Sequence, residues 1–196
     1  MSDTDAERDP SEVPTDDRRP DDLRRAPSLV LVNTGKGKGK TTAAMGVVMR
    51  AVARDWPVAV VQSLKSGTWK TGEEKVCRQL GVEWWAIGEG FTWESDDLSR
   101  DEAVAREAWA KAKELITGGR HRLVVLDEVT YPINWGWIDI DDVVATITGR
   151  PERVNVVCTG RNAPDKLMDI ADTVTEMQVV KHAYQQRVRA MKGIDY

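Results

Sequence analysis

The 196-residue chain is short of most residues that do chemistry by themselves: it has two cysteines, two histidines and a single phenylalanine. Cys77 and Cys158 lie far apart in helix-like and strand-like surroundings, so they read as reduced core residues rather than a disulfide pair. His121 and His182 match no metal-ligand spacing, and zinc is not indicated. The longest apolar runs are strand-sized, so no segment is expected to span a membrane. With no secretory signal visible either, the expected location is cytoplasmic. A net charge of −4 argues against a nucleic-acid partner. The Asn-Lys-x-Asp strand end that marks guanine recognition is missing, and no internal repeat is found.

What is present is concentrated in one stretch. Leu29 to Val32 is an apolar run, followed by Thr34-Gly35-Lys36-Gly37-Lys38-Gly39-Lys40-Thr41-Thr42 and then by helix-forming residues to Arg50. Strand, glycine-rich loop and helix in that order are the setting of a phosphate-binding loop. Glycines let backbone N–H groups curl around phosphate oxygens, and the helix N-terminus adds positive potential. Lys40 is placed to reach the β/γ-phosphates, and the Thr41 hydroxyl to ligate Mg²⁺. One departure from the usual pattern is Thr34, which stands where the first glycine belongs.

A second signal agrees with the first. Leu123-Val-Val-Leu-Asp127-Glu128 is a buried-strand run closing in two carboxylates, where a Walker B strand should end. Such carboxylates hold Mg²⁺ directly or through water. Together the two motifs point to a nucleoside triphosphate bound with Mg²⁺.

From Ser28 onward strand and helix signals alternate. Strands are expected at 58–61, 82–87, 154–158 and 173–180, with helices at 73–80, 98–116, near 140–148 and at 165–171. That alternation predicts an α/β fold: one domain over 28–196 with a mostly parallel sheet flanked by helices. Ligands then sit beyond the carboxyl ends of the strands, where the loop and the Asp127-Glu128 pair both fall. Residues 1–27 are rich in Asp, Arg and Pro, with Val13 and Leu23 as the only large aliphatic residues. Composition alone predicts a disordered, charged N-terminal arm. Arg161, after the 154–158 strand, points to the same rim and could offset triphosphate charge. Phe91 and Trp93 fall in a glycine-bounded polar loop, where aromatics suit a large flat ligand or simply peg the loop.

These motifs together resemble those of the P-loop corrinoid adenosyltransferases. Gly35–Thr42 is similar to that family's phosphate loop, and Gly90-Phe-Thr-Trp93 to its aromatic loop. Leu126–Tyr131 with Gly136–Asp139 resembles its Walker B region, and Arg150–Arg161 with Ala163-Pro164 its next strand and loop. Asp172–Met177, Val180–His182 and Lys192–Tyr196 resemble its C-terminal signature. Lys36, Ala183 and Met191 depart from the family's usual Asn, Pro and Gln, and the arm lies largely outside the match.

The resemblance implies a RecA-like P-loop domain that moves the 5′-deoxyadenosyl group of ATP to the Co(I) of a reduced corrinoid, releasing triphosphate. The nucleophile is the cobalt, so the protein needs no Ser, Cys or His nucleophile, and none is evident. It implies that Lys38 and Lys40 neutralise the leaving group, that Thr41, Asp127 and Glu128 serve Mg²⁺, and that Phe91 and Trp93 contact the corrinoid. It also implies a homodimer, an external electron donor such as a reduced flavoprotein, and ATP reversed in the loop. The alternatives are a kinase or ATPase that transfers the γ-phosphoryl group, and a non-enzymatic nucleotide-dependent switch.

Overall fold

The computed structural model describes residue 13 and residues 20–64, 71–87 and 98–195. Six strands form its frame: β1 (Val30–Thr34), β2 (Val58–Gln62), β3 (Glu83–Ala86), β4 (Leu123–Asp127), β5 (Asn155–Thr159) and β6 (Thr173–Glu176). They lie in the order β3-β2-β4-β5-β1-β6, and every neighbouring pair is parallel. The helices are α1 (Lys40–Val52), α2 (Gly72–Gln79), α3 (Leu98–Thr117), α4 (Thr130–Asn134), α5 (Ile140–Thr148) and α6 (Asp165–Asp169).

Alternation along each strand divides the core into two layers, because successive side chains leave opposite faces of a sheet. Val58 and Val60 of β2, with Leu123 and Val125 of β4, pack under Ala44, Met45 and Val48 of α1 and Cys77 of α2. Ala59, Val61, Val124 and Leu126 face the other way, against Ala108, Ala112 and Ile116 of α3 and Val143 and Ile147 of α5. Both faces of the central strands are therefore covered, which is why they read as continuous apolar runs.

Burial accounts for both cysteines as well. It pushes the Cys77 thiol up to about 11, with Glu73 adding to the shift, and the Cys158 thiol up to about 12. Both are unpaired and buried, as expected of core residues.

Several expected boundaries move. β6 stops at Glu176 rather than Val180, because its partner β1 ends at Thr34, where the loop turns away from the sheet. Helix α6 ends at Asp169 and not Ala171, and α4 was not foreseen. Residues 20–27 are exposed and belong to no helix or strand. No helix among the described residues is long and apolar enough to cross a membrane.

Ile147 is fully buried where α5 meets the sheet. Ile147→Ala should lower unfolding free energy by about 2–5 kcal/mol through lost transfer energy and the cavity left behind. Urea denaturation checks this, and a loss below about 1 kcal/mol would contradict the packing described.

Candidate phosphate-binding site

The loop between β1 and α1 is shaped by close backbone contacts. Gly35 has φ +92°, and a Cβ there would lie 2.4 Å from the Met177 carbonyl oxygen, so only glycine fits. Gly37 N–H donates to that same carbonyl at 2.7 Å, and Met177 N–H donates to the Thr34 carbonyl at 2.9 Å. Met177, just past β6, thus holds the loop from below. At the loop's end Gly39 takes φ +108°, and no side chain caps the N-terminus of α1. The first N–H groups of a helix have no intrahelical partner, so an uncapped N-terminus suits an anion.

Lys40 lies against this loop, its ammonium donating to the carbonyls of Gly35 at 2.9 Å and Gly37 at 2.6 Å. Burial holds its pKa below the usual lysine value, and the nearby Arg161 guanidinium pushes the same way. Glu128 and Asp127 partly oppose them.

Asp127, the last residue of β4, is fully buried. Its Oδ1 accepts from the Thr41 hydroxyl at 2.8 Å and the Thr159 hydroxyl at 2.7 Å. Its Oδ2 accepts from the Gln62 amide at 2.9 Å, and Gln62 in turn accepts from the Trp84 indole at 3.3 Å. Thr159 also accepts from the Glu128 N–H at 2.9 Å, which helps hold Glu128 at φ +60°. That left-handed conformation is costly for a non-glycine residue and clusters at functional sites.

The loop after β5 completes the rim. Gly160, at φ +143°, lies so close to Thr130 that a Cβ would meet its Oγ1 at 2.0 Å. The Arg161 carbonyl accepts from the Thr130 hydroxyl at 2.7 Å, which anchors the backbone while the side chain stays exposed. Ala163 N–H donates to the Thr34 hydroxyl at 3.0 Å, so Thr34 ties the two loops together where a glycine could not.

These parts enclose a cavity of about 360 Å³. Lys36 to Thr42, Glu128, Tyr131 and Arg161 line it, together with Asp195 from the chain's end. Burial, then Glu128, raises the Tyr131 phenol pKa despite opposition from Arg161. A larger cavity, of about 520 Å³, opens on the other side of Lys36, toward Met168 and Val174.

Of the residues expected in the phosphate loop, Lys36 to Thr42 line the cavity, with Thr34 and Gly35 at the loop's base and Glu128 and Arg161 across from it. Asp127 does not line the cavity; it reaches it through Thr41. Phe91 and Trp93 lie outside the described residues. Gln62 carries no local signal in the sequence, whereas Thr159, Met177 and Asp195 fall within the stretches that resemble the family's motifs, without an individual role being legible there.

The residues fit Mg²⁺ held together with a nucleotide. The Thr41 hydrogen is engaged by Asp127, which leaves the oxygen lone pairs for a cation, and the Glu128 carboxylate shares the cavity. Among the described residues no cluster of three or more His, Cys, Asp or Glu could hold a metal. A hard cation here would complete its shell with phosphate oxygens and water.

Residues 26–196 match the family described as ATP:corrinoid adenosyltransferase BtuR/CobO/CobP. A corrinoid adenosyltransferase of a Sinorhizobium species is 44% identical over 172 residues, covering 86% of this chain and 80% of that protein. Those of Escherichia coli K12 and Pseudomonas aeruginosa PAO1 are 40% and 43% identical, each covering 86% of this chain and 85% and 83% of their own lengths. Among solved structures, the flagellar accessory protein FlaH of Methanocaldococcus jannaschii superposes with a TM-score of 0.51 at 11% identity. That match covers 77% of this chain and 71% of FlaH, and it shows a shared fold.

Thr159→Val keeps the side chain's shape but removes a donor to Asp127 and the acceptor for Glu128 N–H. It should cost about 1–3 kcal/mol of stability and weaken MgATP binding. Calorimetric melting and titration check this; unchanged values in both would dismiss the network around Asp127 as a support of the site.

Proposed function

The chain belongs to the ATP:corrinoid adenosyltransferase family, and from that premise we propose that it transfers the 5′-deoxyadenosyl group of ATP to the Co(I) of a reduced corrinoid. In this reaction the cobalt electron pair forms a bond to C5′ of ATP. The C5′–O bond breaks, and its electrons leave on inorganic triphosphate. The observation that carries the reading is the family match across residues 26–196, which includes every part of the phosphate cavity.

The protein's task is to position ATP and to stabilise charge on the leaving group as it departs. Lys40 and Lys38, the loop amides of Lys38 and Gly39 and the uncapped N-terminus of α1 are the groups suited to that charge, with Arg161 across the cavity. Thr41, steadied by Asp127, and Glu128 are the groups suited to hold Mg²⁺. When bound, Mg²⁺ supplies further positive charge to the triphosphate.

Phe91 and Trp93 are assigned by resemblance to the lower face of the corrin, where crowding out an axial ligand makes Co(II) easier to reduce. The proposal further includes a homodimer, a reduced flavoprotein as electron donor, and a cytoplasmic location. In it, residues 1–27 form a separate arm.

With cob(I)alamin present, ATP should be consumed with formation of equimolar inorganic triphosphate, measured by phosphorus NMR. ADP and phosphate as the main corrinoid-dependent products would overturn the reading in favour of phosphoryl transfer. Lys40→Ala should lose several kcal/mol of transition-state stabilisation, read from kcat/KM; a near-normal rate would remove Lys40 from the mechanism.

Replacing Phe91 and Trp93 together with Ala should impair turnover from cob(II)alamin far more than turnover from chemically prepared cob(I)alamin. Their assigned role precedes electron transfer, whereas alkylation follows it. Equal losses in the two assays would assign them to simple binding or to loop structure.

A further inference from the structure

Beyond β6 the chain does not leave the site; it returns over it. After Met177 passes beneath the phosphate loop, residues 178–195 run across the surface through a 3-10 turn at Ala183–Gln186. They end in a tight turn in which Ile194 and Asp195 N–H groups donate to the Met191 carbonyl at 3.2 and 2.8 Å. Met191 N–H donates back to Asp195 Oδ2 at 2.7 Å, which fixes the direction of that carboxylate. Its other oxygen, Oδ1, pairs with the Lys38 ammonium. Asp195 and Ala190 line the phosphate cavity, while Gly193 and Ile194 line an adjoining one with Thr42 and Met45 of α1 and Glu73 of α2. The phosphate loop is thus held between Met177 on one side and Asp195 on the other.

A carboxylate oriented by its own turn and set against a phosphate-loop lysine is an anion where phosphate charge belongs. We infer that Asp195 stands in for a phosphate on Lys38, so that an entering triphosphate group displaces it and the terminal turn of the chain opens. When the triphosphate leaves, the carboxylate recaptures Lys38 and closes the turn again. The exchange costs little, because the pair is partly exposed, with Lys38 at 53% and Asp195 at 22%. It nevertheless offers a highly charged product a competing anion, which favours its release. The inference rests on the reading that this loop holds a triphosphate.

The test uses the full chain and inorganic triphosphate with Mg²⁺. Asp195→Asn removes the charge but keeps an oxygen for Met191 N–H, so the turn can persist. The variant should bind triphosphate more tightly by up to about five-fold, the size of a partly exposed ion pair, and the gain should shrink at high salt. In the unaltered protein, amide hydrogens of residues 191–195 should exchange faster once triphosphate is bound. Equal or weaker binding by the variant, or slower exchange at 191–195, would overturn the inference while leaving the phosphate site intact. Failure of both proteins to bind triphosphate would overturn the inference and the phosphate-loop reading together.

Discussion

The Asp127 carboxylate is fully buried at the carboxyl end of β4, and the site is arranged around satisfying it. A buried charge is costly unless it is hydrogen-bonded. Here donors come from three different elements: Gln62 at the end of β2, Thr159 at the end of β5 and Thr41 in the first turn of α1. That requires β4 to lie between β2 and β5, as it does, and α1 to start above their shared edge. The sheet order and the position of the phosphate loop therefore meet in one hydrogen-bond network. Thr159 extends the network to the Glu128 backbone N–H, so the same hydroxyl holds the Asp127 carboxylate and the main chain of Glu128.

The electrostatics follow from that arrangement. The chain as a whole carries −4, yet Lys36, Lys38, Lys40 and Arg161 converge on one cavity. Gathered at a helix N-terminus and walled by protein, they make a local field suited to a polyphosphate. The Lys40 pKa is held down chiefly by burial and then by the Arg161 guanidinium, and is only partly restored by Glu128 and Asp127. A polyphosphate bound there would offset that positive charge. Asp195 on Lys38 does so in part from within the chain.

What could be read from the sequence was what is encoded locally. The Gly35–Thr42 loop and the Asp127-Glu128 strand end are contiguous patterns, and alternating apolar runs predicted the six strands and most helices. Gln62 was not legible, because its role depends on pairing directly with Asp127 across the β2–β4 register. Thr159 stands at a legible strand end, but its bond to Asp127 depends on β4–β5 pairing, in which Leu126 faces Cys158 and the two strand ends lie side by side. Helix α4 is five residues long and contains Pro132, too short for a 3.6-residue period to emerge. The terminal stretch Lys192–Tyr196 was legible only as a resemblance; its approach to Lys38 depends on the path of residues 178–195 and has no local pattern. Several tryptophans proved structural: Trp84 and Trp109 are buried, Trp56 stacks under Arg122, and Trp85 under Lys111.

The central claim is that a phosphate loop serves alkylation at C5′ and not phosphoryl transfer. The most direct measurement follows the visible spectrum of cob(I)alamin mixed with this protein and MgATP under anaerobic conditions in the dark. The account predicts ATP-dependent loss of the Co(I) absorbance and appearance of an alkyl-cobalt spectrum that light converts to a non-alkylated corrinoid. A Co(I) spectrum that decays no faster with protein and ATP than without them, and yields no photolabile product, would contradict it.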